Sequence, residues 1–286
     1  MVPAASRRLS TDEEATVRHP EAPRTRFMTW NVLWRFEPDW RARERAILAV
    51  LEEAQPDVLG LQECWGTAEE TQAGRLADRL GMHAAFLAPS LPPTPVPPEH
   101  PDQQGVLLGV GLVSRWPITG LRRHTLPARH GQVAPVALQA RTGDGGQRSF
   151  EVLVAATEWE PERADDHLAQ TQALASLLGA DHDTPAPTVL LADLNCDPGQ
   201  TEFAPFTDVA DDLWALAGDD PDAVTLSSAV PFAPVEAVKQ IDRRVDHILV
   251  RRGTGVEAVG AFTISTPVDG VFPSDHFPVV ADVLTP

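Results

Sequence analysis

Val189-Leu190-Leu191-Ala192-Asp193-Leu194-Asn195 is an apolar run that ends in a carboxylate and, two residues on, an amide. A buried strand gains nothing from such an ending, because a desolvated charge costs several kcal/mol unless it is paired or metal-bound. Four other runs behave in the same way: Phe27-Met28-Thr29-Trp30-Asn31, Val58-Leu59-Gly60-Leu61-Gln62-Glu63, Arg244-Val245-Asp246-His247-Ile248-Leu249-Val250, and Ser274-Asp275-His276 ahead of Pro278-Val279-Val280. Five such endings imply strands that deliver their polar ends to one site for a metal ion or a phosphate.

Outward from these runs, Val-, Leu- and Ile-rich segments predict strands near 26–32, 57–63, 106–114, 133–141, 150–157, 188–194, 245–251, 256–263 and 278–284. Helical spacing of Trp40, Ile47, Leu51 and Ala54 predicts a helix over 38–54, and Leu168, Ala175 and Leu178 predict another over 163–179. Several strands follow one another with no helix between them, so a single all-parallel sheet is excluded. The pattern predicts an α/β four-layer sandwich, two packed mixed β-sheets flanked by helices. Residues 1–24 lack periodicity and read as a flexible leader, with 25–286 as one catalytic domain. The proline-laden stretch 88–101 reads as a stiff surface loop, and Thr142-Gly143-Asp144-Gly145-Gly146 as a hairpin turn.

The composition narrows the partners. A net charge of −18, with Lys239 the only lysine, disfavours non-specific binding to long nucleic acid, which draws on cations that neutralise phosphates. No apolar stretch approaches the ~20 residues that span a bilayer, no obligate protein partner is evident, and a cytoplasmic location is expected. The two cysteines, Cys64 and Cys196, neighbour site residues on strands and are expected to point away from them as small buried hydrophobes.

Taken together, the motifs resemble the endonuclease/exonuclease/phosphatase family, a metal-dependent fold shared by DNase-like nucleases, inositol-phosphate phosphatases and bacterial sphingomyelinases. Trp30-Asn31 is similar to its first motif, Gln62-Glu63 to its second, Asp193-Leu194-Asn195 with Asp197-Pro198 to its Asp-Phe-Asn motif, Val245-Asp246-His247-Ile248 to its Asp-Tyr-Ile motif, and Ser274-Asp275-His276 to its last. The five stand in the family's order over residues 26 to 284. Mg²⁺ or Mn²⁺ wants oxygen ligands and keeps several waters, which suits Glu63 as the main ligand with Asn31 and Asp275 beside it. By resemblance Asp193 activates a water and Asn195 orients the water or the phosphate, both on one strand face by alternation. His276 donates to a phosphate oxygen, and the resemblance gives Asp246 the task of holding its other nitrogen. His247 is expected to pack, and Asp197-Pro198-Gly199 to turn.

One position departs from the family. Many of its hydrolases continue the sixth run, Phe150 to Thr157, with Thr-His-Leu, whereas this chain reads Thr157-Glu158-Trp159. Two unit charges ~4 Å apart repel by about 4 kcal/mol at an effective dielectric of 20, so Glu158 does not touch a phosphate unaided; it binds a second cation, is protonated, turns away, or meets a cationic group on the substrate. The family's abasic-site nucleases also lack this histidine, so catalysis is not thereby lost. His167 is either a substitute or a solvated helix position. Trp34, Trp65 and Trp159 fall just beyond site-bearing strands and, with Glu158, are expected at a substrate pocket, although packing of the loop bases explains the tryptophans at least as well. The expected activity is metal-dependent hydrolysis of a small organic phosphodiester or phosphomonoester. The alternatives are an endo- or exonuclease, with a groove built from arginines such as Arg115, Arg122, Arg123, Arg129, Arg243 and Arg244, and a non-catalytic phosphoester-binding protein.

Overall fold

The structure is a computed structural model that describes residues 23–37, 39–130, 133–146, 148–180, 186–235 and 241–285. The expected leader therefore lies almost wholly outside the described residues. In chain order the elements are β1 (Arg24–Asn31), α1 (Trp40–Ala54), β2 (Val58–Gly66), α2 (Gln72–Leu80), β3 (His83–Leu87), β4 (Leu107–Ser114), β5 (Ile118–Thr125), β6 (Val136–Gly143), β7 (Ser149–Ala156), α3 (Ala164–Gly179), β8 (Thr188–Asp193), β9 (Ala210–Asp212), α4 (Leu213–Ala217), β10 (Asp246–Arg251), β11 (Glu257–Thr263) and β12 (Val279–Leu284).

Two six-stranded sheets result, one ordered β11-β12-β1-β2-β4-β3 and the other β5-β6-β7-β8-β10-β9. Each has one parallel pair at its centre, β1 with β2 and β7 with β8; the other pairs are antiparallel. The expected sandwich is present. Between the sheets lies a core that includes Phe27, Val58, Leu112, Phe150, Val152, Leu191 and Ile248. The Phe27 and Phe150 rings, from opposite sheets, meet edge-to-face at 4.9 Å, the arrangement that ring quadrupoles favour. A Cβ at Gly60 would stand 2.6 Å from Leu191 Cβ, so only glycine lets the sheets approach this closely. The outer layers form where α1 and α2 bring Ile47, Leu51 and Leu76 against Met28 and Leu59, and where α3 brings Leu174 and Leu178 against Leu153 and Leu190.

Elements beyond those expected have weak sequence patterns. The edge strand β5, with Arg122 and Arg123 exposed, shows no apolar alternation, and the apolar residues on the buried face of α2 are only Ala73, Leu76 and Ala77. Its ends are nonetheless written in the chain: Thr71 caps the Gly74 N–H, and Gly81 leaves the helix at φ +67°.

Arg26 and Asp282 face each other across β1 and β12. Asp282 is buried, accepts two bonds of 2.9 Å from Arg26, and is also bonded by Arg24. Burial raises the carboxyl pKa, but the hydrogen bonds from Arg26 and Arg24 outweigh it and hold the group below its ordinary value of 3.8. The stability so gained is complete above that ordinary value and is lost as the pH falls through the depressed folded value. Asp282→Asn is expected to cost about 2 kcal/mol at neutral pH, less than for a wholly buried pair because both arginines reach solvent. Urea unfolding should show the gap to wild type closing in acid, as the pH falls below the ordinary carboxyl value of 3.8 and through the depressed folded one.

Candidate metal and phosphate site

The strand pairing explains why the five endings meet. β1 and β2 run parallel, so Asn31 sits beside Gln62 at the end of one sheet; β10 runs against β8, so Asp246 pairs with Asp193 at the end of the other. The start of β12 lies beside the end of β1, which sets Asp275 and His276 at the same edge. Asn31 joins the two sheets directly, its Nδ2 donating to Glu63 Oε1 at 2.9 Å and to Asp193 Oδ2 at 3.0 Å.

Glu63 reaches this edge through a bulge. The pairing of β2 with β4 slips between Leu61 and Cys64, and Glu63 has φ 49°, a conformation that costs a non-glycine residue of order 1 kcal/mol and is typical of functional sites. Its Oε2 is sealed from solvent and has no hydrogen-bond partner. Burial, with Asp275 adding to it, pushes the Glu63 carboxyl up to about 8. An all-oxygen set whose main member cannot keep its charge unaided fits a divalent cation such as Mg²⁺. Asn31 offers its Oδ1, which already accepts the Leu33 N–H at 3.0 Å, and the buried Asp275 carboxylate accepts from Ser274 Oγ at 3.2 Å.

Asp193, Asp246 and His276 form a second group, with one ligand atom from each within 4.8 Å of the others. Its internal bonding is that of a hydrogen-bonded dyad beside a carboxylate. His276 Nδ1 and Asp246 Oδ2 are 2.8 Å apart, which leaves Nε2 as the free end of the ring. Asp246 is held in turn by Thr225, whose hydroxyl accepts the Val245 and Asp246 N–H groups, and Trp30 Nε1 donates to the His276 carbonyl at 2.9 Å. Burial alone would lower the His276 pKa, yet Asp246 and Asp193 raise it well above the ordinary value. Asp193 is raised by burial and by Asp246. The expected strand alternation does not carry Asn195. β8 ends at Asp193, and Asn195 is swung into place by φ 49°, its N–H donating to Asp193 Oδ1 at 3.0 Å and its Nδ2 to the Thr157 carbonyl at 3.0 Å.

These residues open into a cavity of about 310 Å³, enough for a small organic ligand. Glu63, Asp193, Asn195, Asp275 and His276 line it together with Thr157. Loops leaving the first sheet add Leu33, Phe36, Glu37, Leu91 and Pro92, and loops leaving the second add Trp159, Leu226, Phe232 and Pro234. Most of these wall residues lie in segments without periodicity, and so carry no signal in the sequence. A residue behind the lining that carries a sequence signal is Arg43, four residues before Ile47 on the buried face of α1. Its guanidinium is buried and donates to the Val32, Leu33, Trp34 and Pro273 carbonyls, tying the loop after Asn31 to the one before Asp275.

The structure places three of the four residues expected at a substrate pocket away from the cavity lining. Trp34 and Trp65 are fully buried in a separate cluster with Val106 and Leu108, where Trp34 Nε1 donates to the Leu107 carbonyl and the Arg35 guanidinium lies 4.2 Å from the Trp65 ring. They pack the loop bases, and only Trp159 faces the cavity. Glu158 is also buried and turned away. Its Oε1 accepts the Trp159 and Glu160 N–H groups at 2.9 and 3.1 Å, and its Oε2 lies 3.4 Å from Arg163. Standing where the family often has a histidine, it therefore clamps its own loop. His167 is neither a substitute nor solvated: it is buried, its Nε2 2.8 Å from the Leu194 carbonyl and 3.3 Å from Thr157 Oγ1. His247 packs on Phe203 and bonds the Cys196 carbonyl, and burial with Arg244 nearby lowers its pKa to about 4. Both cysteines are buried in apolar clusters, and Asp197 closes a turn on the Gly199 N–H. Of the arginines proposed for a groove, Arg115, Arg243 and Arg244 are paired to Asp57, Asp197 and Asp212, and among the described residues no arginine or lysine lines the cavity.

No helix among the described residues is long and apolar enough to cross a membrane. No curated protein matches the chain. Among solved structures it is similar to an endonuclease/exonuclease/phosphatase from Beutenbergia cavernae (24% identity, TM-score 0.69, 92% of this chain and 72% of that one). It is also similar to the human Nocturnin catalytic domain with bound sulfate anion (22%, 0.72, 92% and 94%) and to a D. rerio TDP2 humanized by 14 mutations (17%, 0.67, 92% and 99%). At these identities the likenesses speak for the fold. The model of the Endonuclease/Exonuclease/phosphatase family matches residues 28–276, a span that takes in Asn31, Glu63, Asp193, Asp246 and His276, and the chain belongs to that family of metal-dependent phosphoester hydrolases.

Proposed function

We propose that the chain hydrolyses a small organic phosphodiester or phosphomonoester with Mg²⁺ or Mn²⁺. The observation that carries this reading is the buried, unpartnered Glu63 Oε2 in the same cavity as Asp193 and the His276–Asp246 dyad. Glu63, Asn31 and Asp275 would hold the cation. When bound, such an ion draws charge from the phosphoryl oxygens and eases departure of the leaving oxygen.

The protein's own groups divide the remaining work. Asp193 takes the proton of the attacking water; its two oxygens are fixed by Asn31 Nδ2 and the Asn195 N–H, so the base is oriented before substrate arrives. Asn195, with Nδ2 committed to Thr157, presents Oδ1 as an acceptor for that water. Asp246 keeps the proton on His276 Nδ1 and the ring in place, so Nε2–H donates to a non-bridging phosphate oxygen as charge builds there. The test is a parallel screen of phosphodiesters, phosphomonoesters and plasmid DNA with and without added metal. Metal-dependent cleavage of at least one small ester is expected, and no cleavage of any would overturn the reading.

A further inference from the structure

The cavity pairs an acidic floor with apolar walls. Glu63, Asp193 and Asp275 stand at the strand ends that form its floor, and a fourth carboxylate, Glu37, lines it from the loop after β1 together with Leu33 and Phe36. Glu37 is half-buried, and no group among the described residues is bonded to its carboxylate. The Arg43 guanidinium, which feels the Glu37 charge, is buried and directs both terminal nitrogens to backbone carbonyls rather than to Glu37. Among the described residues, then, the cavity has no lysine or arginine to receive an anionic group beyond the reacting phosphate, and it has a free carboxylate to repel one. The apolar residues come from both sheets: Phe36 and Leu91 from loops of the first, Trp159 and Phe232 from loops of the second. A phosphorus atom at the floor therefore has an apolar wall from each side.

We infer that the cavity selects a phosphodiester that carries a single negative charge and apolar groups on both sides of the phosphorus, and that Glu37 is the specificity-determining residue that disfavours any substrate with a second anionic group. This rests on the phosphoesterase reading and narrows its two ester classes to one. A phosphomonoester would bring a second charge into the same carboxylate field and leave one apolar wall empty, and a nucleic acid would set its neighbouring phosphates against Glu37.

The discriminating pair is thymidine 5′-(4-nitrophenyl phosphate) with and without a 3′-phosphate, two substrates that differ only in a distal anionic group. Wild type is expected to favour the form without the 3′-phosphate by about tenfold in kcat/KM, the size of one charge repulsion across a partly hydrated pocket. Glu37→Gln should narrow that ratio several-fold and Glu37→Lys should invert it, while Glu52→Gln, an exposed charge on α1, should leave it unmoved. Because each ratio is taken on one protein preparation, partial misfolding does not imitate the result. A reading without turnover comes from calorimetric binding to Asp193→Asn protein, where diphenyl phosphate should bind roughly tenfold tighter than phenyl phosphate. Should the binding preference hold while no ester is cleaved, the hydrolase reading falls and the selectivity stands. Cleavage with equal rates on the pair, a ratio that Glu37→Gln does not change, or equal binding of the two phenyl esters overturns the selectivity and leaves the hydrolase reading intact.

Discussion

Asp193→Asn is expected to lower kcat about 10³-fold, near 4 kcal/mol of transition-state stabilisation, with KM changed by less than about threefold. The size follows from the role. The carboxylate lies at the end of β8, and its oxygens are oriented by Asn31 and by the Asn195 N–H, so in the proposed role it would contribute to removing the water's proton more than to binding the ester. An amide in its place cannot accept that proton. Near-isosteric replacement also removes a buried negative charge that Asp246 opposes, so the fold should survive, and thermal unfolding should confirm it. Turnover within tenfold of wild type would take Asp193 out of the reaction.

Glu63→Gln should separate stability from function. In wild type, saturating Mn²⁺ or Mg²⁺ is expected to raise the unfolding free energy by about 3 kcal/mol at a hundredfold excess over Kd. The amide variant should lose nearly all of that increase together with metal-dependent turnover. Without metal the order reverses, and the variant should be more stable than wild type by about 2 kcal/mol. Glu63 Oε2 is buried without a partner, and burial with Asp275 pushes the group far from its ordinary range, so a neutral group of the same shape relieves a cost that each pKa unit sets at about 1.4 kcal/mol, discounted here for partial hydration. Asn31 Nδ2 can still donate to the glutamine oxygen. A variant that retains the metal-induced shift would place the cation elsewhere, the Asp193, Asp246 and His276 group being the first place to look.

The sandwich and the five converging strand ends were legible because burial writes itself as apolar runs and an unexplained polar ending is costly. Nine expected strands and two helices appear close to their expected limits, since each is a continuous run or a clear helical face. β3, β5 and α2 were silent because an edge strand or a short helix buries too little to leave a pattern. Asn195 reached its place by a positive φ that strand alternation does not foresee, and Glu63 by a bulge. The tryptophans misled for a related reason: a large ring beyond a strand end serves as readily to pack a loop base, as Trp34 and Trp65 do, as to face a ligand, as Trp159 does. Glu158 showed its importance in the sequence but not its direction, which depends on two backbone N–H groups and Arg163. The cavity walls depend on loops such as those of Leu91 and Phe232, whose placement follows from tertiary contacts alone.

The most direct measurement is the initial rate of bis(4-nitrophenyl) phosphate hydrolysis by wild-type protein, first in EDTA and then after metal is restored in excess over the chelator. No turnover above background is expected in EDTA and full recovery with Mn²⁺ or Mg²⁺, with Glu63→Gln failing to recover. Turnover that persists in EDTA, or that Glu63→Gln recovers as wild type does, would contradict that expectation.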